Sequence, residues 1–106
     1  MSRPLDLHLT DAAEADLAEI WAYVADDSSE SIATRLLDKI RATFSRLQDF
    51  PFSGAERHQL APDLRVVLHG SYAIYYLPSD SEIEIVRVLH GARDSAAIAD
   101  VSGFLA

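Results

Sequence analysis

The hydrophobic pattern of this chain changes period once. From Ala13 to Leu47 apolar side chains recur every three or four residues, whereas from Leu64 to Leu89 they fall into three short runs separated by turn residues. Ahead of both, residues 4–9 (PLDLHL) set Leu5, Leu7 and Leu9 against Asp6 and His8, the period-2 alternation of a half-buried strand. A helical block segregated from a block of strands packs as two layers, which makes this an α+β chain with a helical hairpin on a mostly antiparallel sheet.

Punctuation along the chain supplies the boundaries. Thr10 or Asp11 caps the first helix, Asp11 and Glu14 stand at capping-box spacing, and Ala13, Leu17, Ile20, Trp21 and Val24 form its apolar stripe to about Ala25. The run DDSSES at 26–31 breaks the pattern and caps a second helix, whose stripe is Ala33, Leu36, Leu37, Ile40, Phe44 and Leu47 and which Pro51 ends. Two helices across a short polar turn make an antiparallel hairpin. Residues 50–63 (FPFSGAERHQLAPD) read as loop. Strands follow at Leu64–His69, Tyr72–Leu77 and Glu82–Leu89, with Gly70-Ser71 as a two-residue hairpin loop and residues 78–81 as the next turn. Ala96, Ala97, Ile98, Val101, Phe104 and Leu105 mark the end as a short helix or a docking strip. At 106 residues the chain is expected to be one domain, residues 1–106.

Charge narrows the function classes. Nine Lys+Arg against 17 Asp+Glu leave −8, and Lys39 is the sole lysine. Binding a nucleic-acid backbone draws most of its affinity from neutralised phosphates, so a field this acidic favours a protein partner. The chain has no cysteine, and His8, His58 and His69 sit at no metal-ligand spacing, so neither a metal nor a cofactor is expected. The first residues carry no signal-peptide pattern and no run reaches the length of a membrane span, so a soluble, cytoplasmic protein is expected.

Four stretches in order, "LTDAAEADLAEIWAYVADDS", "FPFSG", "QLAPDLRVVLHGSYAIYYL" and "IEIVRVLHGARD", make the chain resemble the ParE branch of the RelE/ParE toxin superfamily. The resemblance implies a βααβββ fold and the toxin of a type II toxin–antitoxin pair. It implies a ParD-like antitoxin partner with a ribbon-helix-helix DNA-binding part, hence contact with DNA only through the antitoxin or the target. For the ParE branch the implied target is DNA gyrase, trapped with cleaved DNA. The RelE branch implies ribosome-dependent cleavage of messenger RNA, the alternative function, and a non-toxic binding partner is a third.

The residues weigh these readings. Metal-free RNA cleavage needs proton donors and acceptors and cations around the phosphate, for which His90 or Tyr72 and Arg65, Arg87 and Arg93 are the candidates. On a strictly alternating strand Arg87 shares a face with Ile83, Ile85 and Leu89, and His90 shares the other with Val86 and Val88. An arginine on an apolar face needs a groove or an acid such as Asp94 or Glu56. RelE-type nucleases use a cluster of lysines and arginines with a catalytic residue near the C-terminus. Here Lys39 lies on a helix and no tyrosine follows Tyr76. "HGARD" reads instead as a structural corner, with Gly91 at positive φ and Arg93 paired to Asp94 or a helix end. The expected protein is therefore a binder and not an enzyme, using Arg65, Arg87, His90 and Arg93 with the end of the chain toward its target. Trp21, Tyr23 and Leu37 are the expected antitoxin contacts. Of Tyr72, Tyr75 and Tyr76, at least one is expected to face outward.

Overall fold

Two hydroxyl side chains start the two helices. In the computed structural model, which describes residues 4–91, Thr10 Oγ1 accepts a hydrogen bond from Ala13 N at 3.0 Å and opens α1 (Asp11–Asp27). Ser29 Oγ accepts from Ile32 N at 3.2 Å and opens α2 (Glu30–Asp49). Each bond satisfies an amide that a helix leaves without an internal partner. Thr10 rather than Asp11 is thus the cap, and the residue three positions on is Ala13, so the Asp11–Glu14 capping box does not form. α1 runs on through Asp26 and Asp27 before Ser28 N closes its last turn on Val24 O at 2.8 Å.

The hairpin packs on a five-stranded sheet: β1 (Asp6–Leu9), β2 (Ala55–Glu56), β3 (Arg65–His69), β4 (Tyr72–Pro78) and β5 (Glu82–His90), in spatial order β1-β5-β4-β3-β2. β1 runs parallel to β5 and every other pair is antiparallel. This is the α+β architecture expected, with one addition. β2 lies inside the stretch read as loop and pairs only Ala55 with Val66 and Glu56 with Arg65; two residues carry no period to read. Gly70 starts the β3–β4 turn at φ 56°, a conformation that costs glycine nothing. The positive φ expected of Gly91 belongs to Gly70. What restricts Gly91 is a close neighbour, since a Cβ there would meet Ser71 O at 3.0 Å.

Both faces of the sheet are covered. Leu17, Ile40, Phe44 and Leu47 of the helices pack on Ile74, Tyr76, Ile83, Ile85 and Val88. On the opposite face the 57–64 loop lays Ala61 and Leu64 over Val66, Ala73, Tyr75 and Val86. For this reason Tyr75 and Tyr76 are both buried, on opposite sides, and of the three tyrosines it is the half-buried Tyr72 that reaches solvent. Tyr76 also anchors the chain that leaves α2. Its hydroxyl donates to Pro51 O at 2.8 Å and accepts from Gly54 N at 2.9 Å. Burial raises its pKa above the ordinary tyrosine value, against the lowering effect of the Gly54 bond.

Strand β5 does not alternate cleanly. Tyr76 pairs with Ile85 but Tyr75 pairs with Arg87, so Val86 is an extra residue in the ladder, a β-bulge. Val86 and Leu89 pack with the second core, while Val88 joins Ile83 and Ile85 under the helices. The strict alternation that put Val86 with Val88, and Leu89 with Ile83 and Ile85, therefore fails at this one insertion.

Candidate functional site

β1 is four residues long and its pairing stops where Leu9 meets Ile85. Beyond that point β5 has β4 on one side and, among the described residues, no strand on the other. Side chains of α1 take over. Thr10 Oγ1, besides capping the helix, donates to Val86 O at 2.8 Å. Asp16 Oδ2 accepts from Val88 N at 2.9 Å. The strand edge thus ends against a helix instead of a partner strand, and its polar backbone groups at 86 and 88 are satisfied.

Asp16 does more than seal the edge. It receives Arg87 Nε at 2.8 Å and Arg87 Nη2 at 2.9 Å, a two-point carboxylate–guanidinium contact. Asp16 is 8% exposed, so the three bonds it accepts lie largely out of water. The bond to Asp16 raises the Arg87 pKa above the ordinary arginine value, against desolvation, with Glu19 adding a smaller attraction. Among the described residues the acid that answers Arg87 is therefore Asp16 and not Glu56. Glu56 lies beside His58 instead, and Asp94 lies outside the described residues.

Between α1 and this edge runs a groove of about 480 Å³. Asp16, Glu19, Ile20 and Tyr23 line it from the helix, and Tyr72, Val88, Leu89 and His90 line it from the sheet. Tyr72 and His90 meet edge to face, ring centroids 5.5 Å apart at 85°. Tyr23 is 68% exposed. The groove thus combines an apolar lining with one exposed aromatic, two carboxylates and an imidazole.

Residues 7–95 match the family described as ParE toxin of type II toxin-antitoxin system, parDE. The chain belongs to the ParE toxin family. It is 28% identical over 88 residues to "Toxin ParE3" of Caulobacter vibrioides, covering 83% of this chain and 88% of that protein. It is 30% identical over 87 residues to "Toxin ParE1" of Mycobacterium tuberculosis, covering 81% and 89%. A solved structure, "Chromosomal ParDE TA system from P. aeruginosa", superposes with TM-score 0.72 at 23% identity over 84% of this chain and 98% of that one, a likeness of fold.

Within this ParE-family fold the expected target residues do not form one patch. Arg87 and His90 lie at the α1–β5 edge, while Arg65 is turned toward the 50–54 loop. Arg65 Nη1 donates to Gly54 O at 2.8 Å and Phe52 O at 3.2 Å, and its guanidinium sits 5.1 Å from the Phe52 ring centroid. Arg93 lies outside the described residues. The three residues expected to meet an antitoxin are also split. Trp21 Nε1 donates to Thr34 Oγ1 at 3.1 Å across the hairpin, Leu37 packs against the main core, and Tyr23 opens into the groove. Asp16 was missed in the sequence, although its spacing gives it away: it stands three residues after Ala13 and four before Ile20, an acid on the buried stripe. Among the described residues no three His, Asp or Glu are placed to hold a metal ion, and no helix is long and apolar enough to cross a membrane.

Proposed function

We propose that this ParE-family chain acts by binding and not by catalysis. In this reading it inhibits DNA gyrase in the cytoplasm by favouring the state in which the DNA is cut, and a ParD-like antitoxin neutralises it. The observation that carries the reading is the engagement of the arginines. A ribonuclease of the RelE kind needs cations turned to a phosphate, yet Arg87 is committed to Asp16 and Arg65 to the Phe52 and Gly54 carbonyls. The groove beside His90 presents Asp16 and Glu19, and the whole chain carries −8, a field that slows approach of RNA. Tyr72 and His90 form an aromatic pair there, which serves a protein contact without any proton transfer.

A binder of this kind needs no reactive group. It has to prefer the cleaved gyrase–DNA state, and about 1.4 kcal/mol of preference shifts that equilibrium tenfold. His90 and Arg93 are the proposed target contacts, while Arg87 braces the α1–β5 edge through Asp16 and Arg65 braces the 50–54 loop. Tyr23 is the first proposed antitoxin anchor, with Trp21 and Leu37 along the hairpin, and the antitoxin segment orders on contact.

The test is DNA supercoiling and cleavage by purified gyrase with this protein, alone and with its antitoxin. Accumulated cleaved DNA that the antitoxin relieves is expected, and Arg93→Glu should lower it in a protein that still folds. Gyrase unaffected at saturating toxin would refute the reading and direct attention to messenger RNA cleavage on the ribosome, with His90→Ala as the first variant.

A further inference from the structure

We propose that the antitoxin segment held in the groove between α1 and β5 is basic, with an arginine or lysine that pairs with Glu19 and, about one helical turn away, an apolar side chain that packs on Tyr23. The inference rests on the reading that Tyr23 anchors the antitoxin, and it adds the chemistry of the segment that binds there. Its first support is the division of charge between the two helices. α1 carries six acids and no base, whereas α2 carries three acids and four bases. That is −6 against +1, so the acidity of the hairpin is the acidity of α1. Charge set out in this way draws a basic segment to α1 and steers an acidic one away from it.

Its second support is local. Two carboxylates line the groove, Asp16 and Glu19. Asp16 is taken, since it accepts both Arg87 bonds and the Val88 amide. Glu19 forms no ion pair among the described residues. With Arg87 committed to Asp16, no other arginine or lysine of α1 or β5 exists to answer it. Glu19 and Tyr23 stand four residues apart on α1, hence on one face and about 6 Å apart along the axis. Tyr23 is 68% exposed, and Ile20, Tyr72 and Val88 supply apolar surface beside it. A partner matches this pair with a base and an apolar residue three or four positions apart on a helix, or two apart along a strand. An acidic segment would set like charge against Glu19, the juxtaposition by which interfaces reject wrong partners.

The test measures the dissociation constant of the purified ParD-like antitoxin for the full chain and for Tyr23→Ala, Glu19→Lys and Glu14→Lys, each checked by circular dichroism for an intact fold. Glu14 is exposed on α1 and lies outside the groove lining, so Glu14→Lys makes the same change in net charge away from the contact. Tyr23→Ala and Glu19→Lys should each weaken binding about tenfold, and Glu14→Lys by less than about threefold. Added salt should weaken binding of the wild type more than that of Glu19→Lys. Tighter or unchanged binding by Glu19→Lys, with Tyr23→Ala still weakened, would overturn the basic segment and leave Tyr23 as the antitoxin anchor. Equal losses from Glu19→Lys and Glu14→Lys would replace the contact by a diffuse field and overturn it too. Binding unchanged by Tyr23→Ala would remove the antitoxin from the groove, and the proposal would fall together with the reading beneath it.

Discussion

Removing the Asp16 carboxylate should cost more than any other single side-chain truncation at the α1–β5 edge. Asp16 accepts from Arg87 Nε, Arg87 Nη2 and Val88 N, at 2.8, 2.9 and 2.9 Å. Asp16→Ala leaves a guanidinium and a strand amide without their acceptor. Breaking a buried ion pair from one side costs about 3–5 kcal/mol. The Arg87 side chain is 25% exposed, so water recovers part of this, and about 3 kcal/mol is the working value. For a domain near 100 residues that lowers Tm by roughly 12–24 °C. Asp16→Asn keeps one oxygen for Val88 N and should lose about half as much, roughly 1.5 kcal/mol, near the worth of one bond to a charged group. Arg87→Met strands the carboxylate with Val88 N alone and should cost about 2 kcal/mol. The pairwise part is isolated by a double-mutant cycle in urea, followed by far-UV circular dichroism at neutral pH. With both partners gone the two losses should fall short of additivity by about 2 kcal/mol. The Arg87 contribution is fully present below the ordinary arginine pKa and is lost only as pH rises through the still higher folded value, so the coupling should be flat across neutral pH. Additive losses, or an Asp16→Ala cost under about 0.5 kcal/mol, the range of an ordinary surface change, would refute the reasoning.

Tyr76→Phe removes a donor to Pro51 O and an acceptor for Gly54 N, and should cost about 1–3 kcal/mol in the same urea assay. Because folding raises the Tyr76 pKa, its contribution is fully present below the unfolded tyrosine value and fades as pH climbs from there through the folded one. The wild-type urea midpoint should therefore fall on the alkaline side more steeply than that of Tyr76→Phe; parallel curves would count against the buried phenol. Gly54→Ala drives a Cβ to 2.6 Å from Tyr76 Oη and 2.8 Å from Val66 O and should cost about 1–3 kcal/mol. Gly70→Ala meets nothing within 4 Å and should lose only its left-handed strain, about 1–2 kcal/mol; equal packing defects by hydrogen exchange in the two variants would contradict this contrast. Thr10→Val keeps the shape but loses both the helix cap and the bond to Val86 O, with an expected cost of about 1–2 kcal/mol in thermal unfolding.

The fold was legible where a periodic pattern ran long enough to repeat. Leu17, Ile40, Phe44 and Leu47 announce two helices with one buried side, and the Gly70-Ser71 turn fixes the β3–β4 register from His69 opposite Tyr72 onward. What stayed hidden were features one or two residues long. β2 is a two-residue pairing, and the 57–64 loop contributes Ala61 and Leu64 to a second core with no period of its own. That loop also buries Tyr75, which alternation alone sends to solvent. A covered back face is a tertiary fact, and strand periodicity says only that a residue faces the other way.

The site was less legible because it depends on one inserted residue and one long-range pair. Arg87 and His90 stood out in the sequence as polar groups at a strand end, and the anomaly of an arginine among apolar neighbours was real. Its solution lies 71 residues away in Asp16, a distance across which spacing carries no information. The Val86 bulge then moves Val88 under the helices and Leu89 to the other face. These features belong together. A β1 of four residues leaves the end of β5 without a strand neighbour among the described residues, such an edge needs cover, and Thr10 and Asp16 supply it. A helix cannot lie as flush against a strand as another strand does, since interaxial spacing near 10 Å replaces a ladder spacing near 4.8 Å. The gap left by that difference is the groove that holds Tyr23, Tyr72 and His90. The groove is thus a consequence of ending β1 early, and lengthening β1 past Leu9 would close it together with the place where Asp16 meets Arg87.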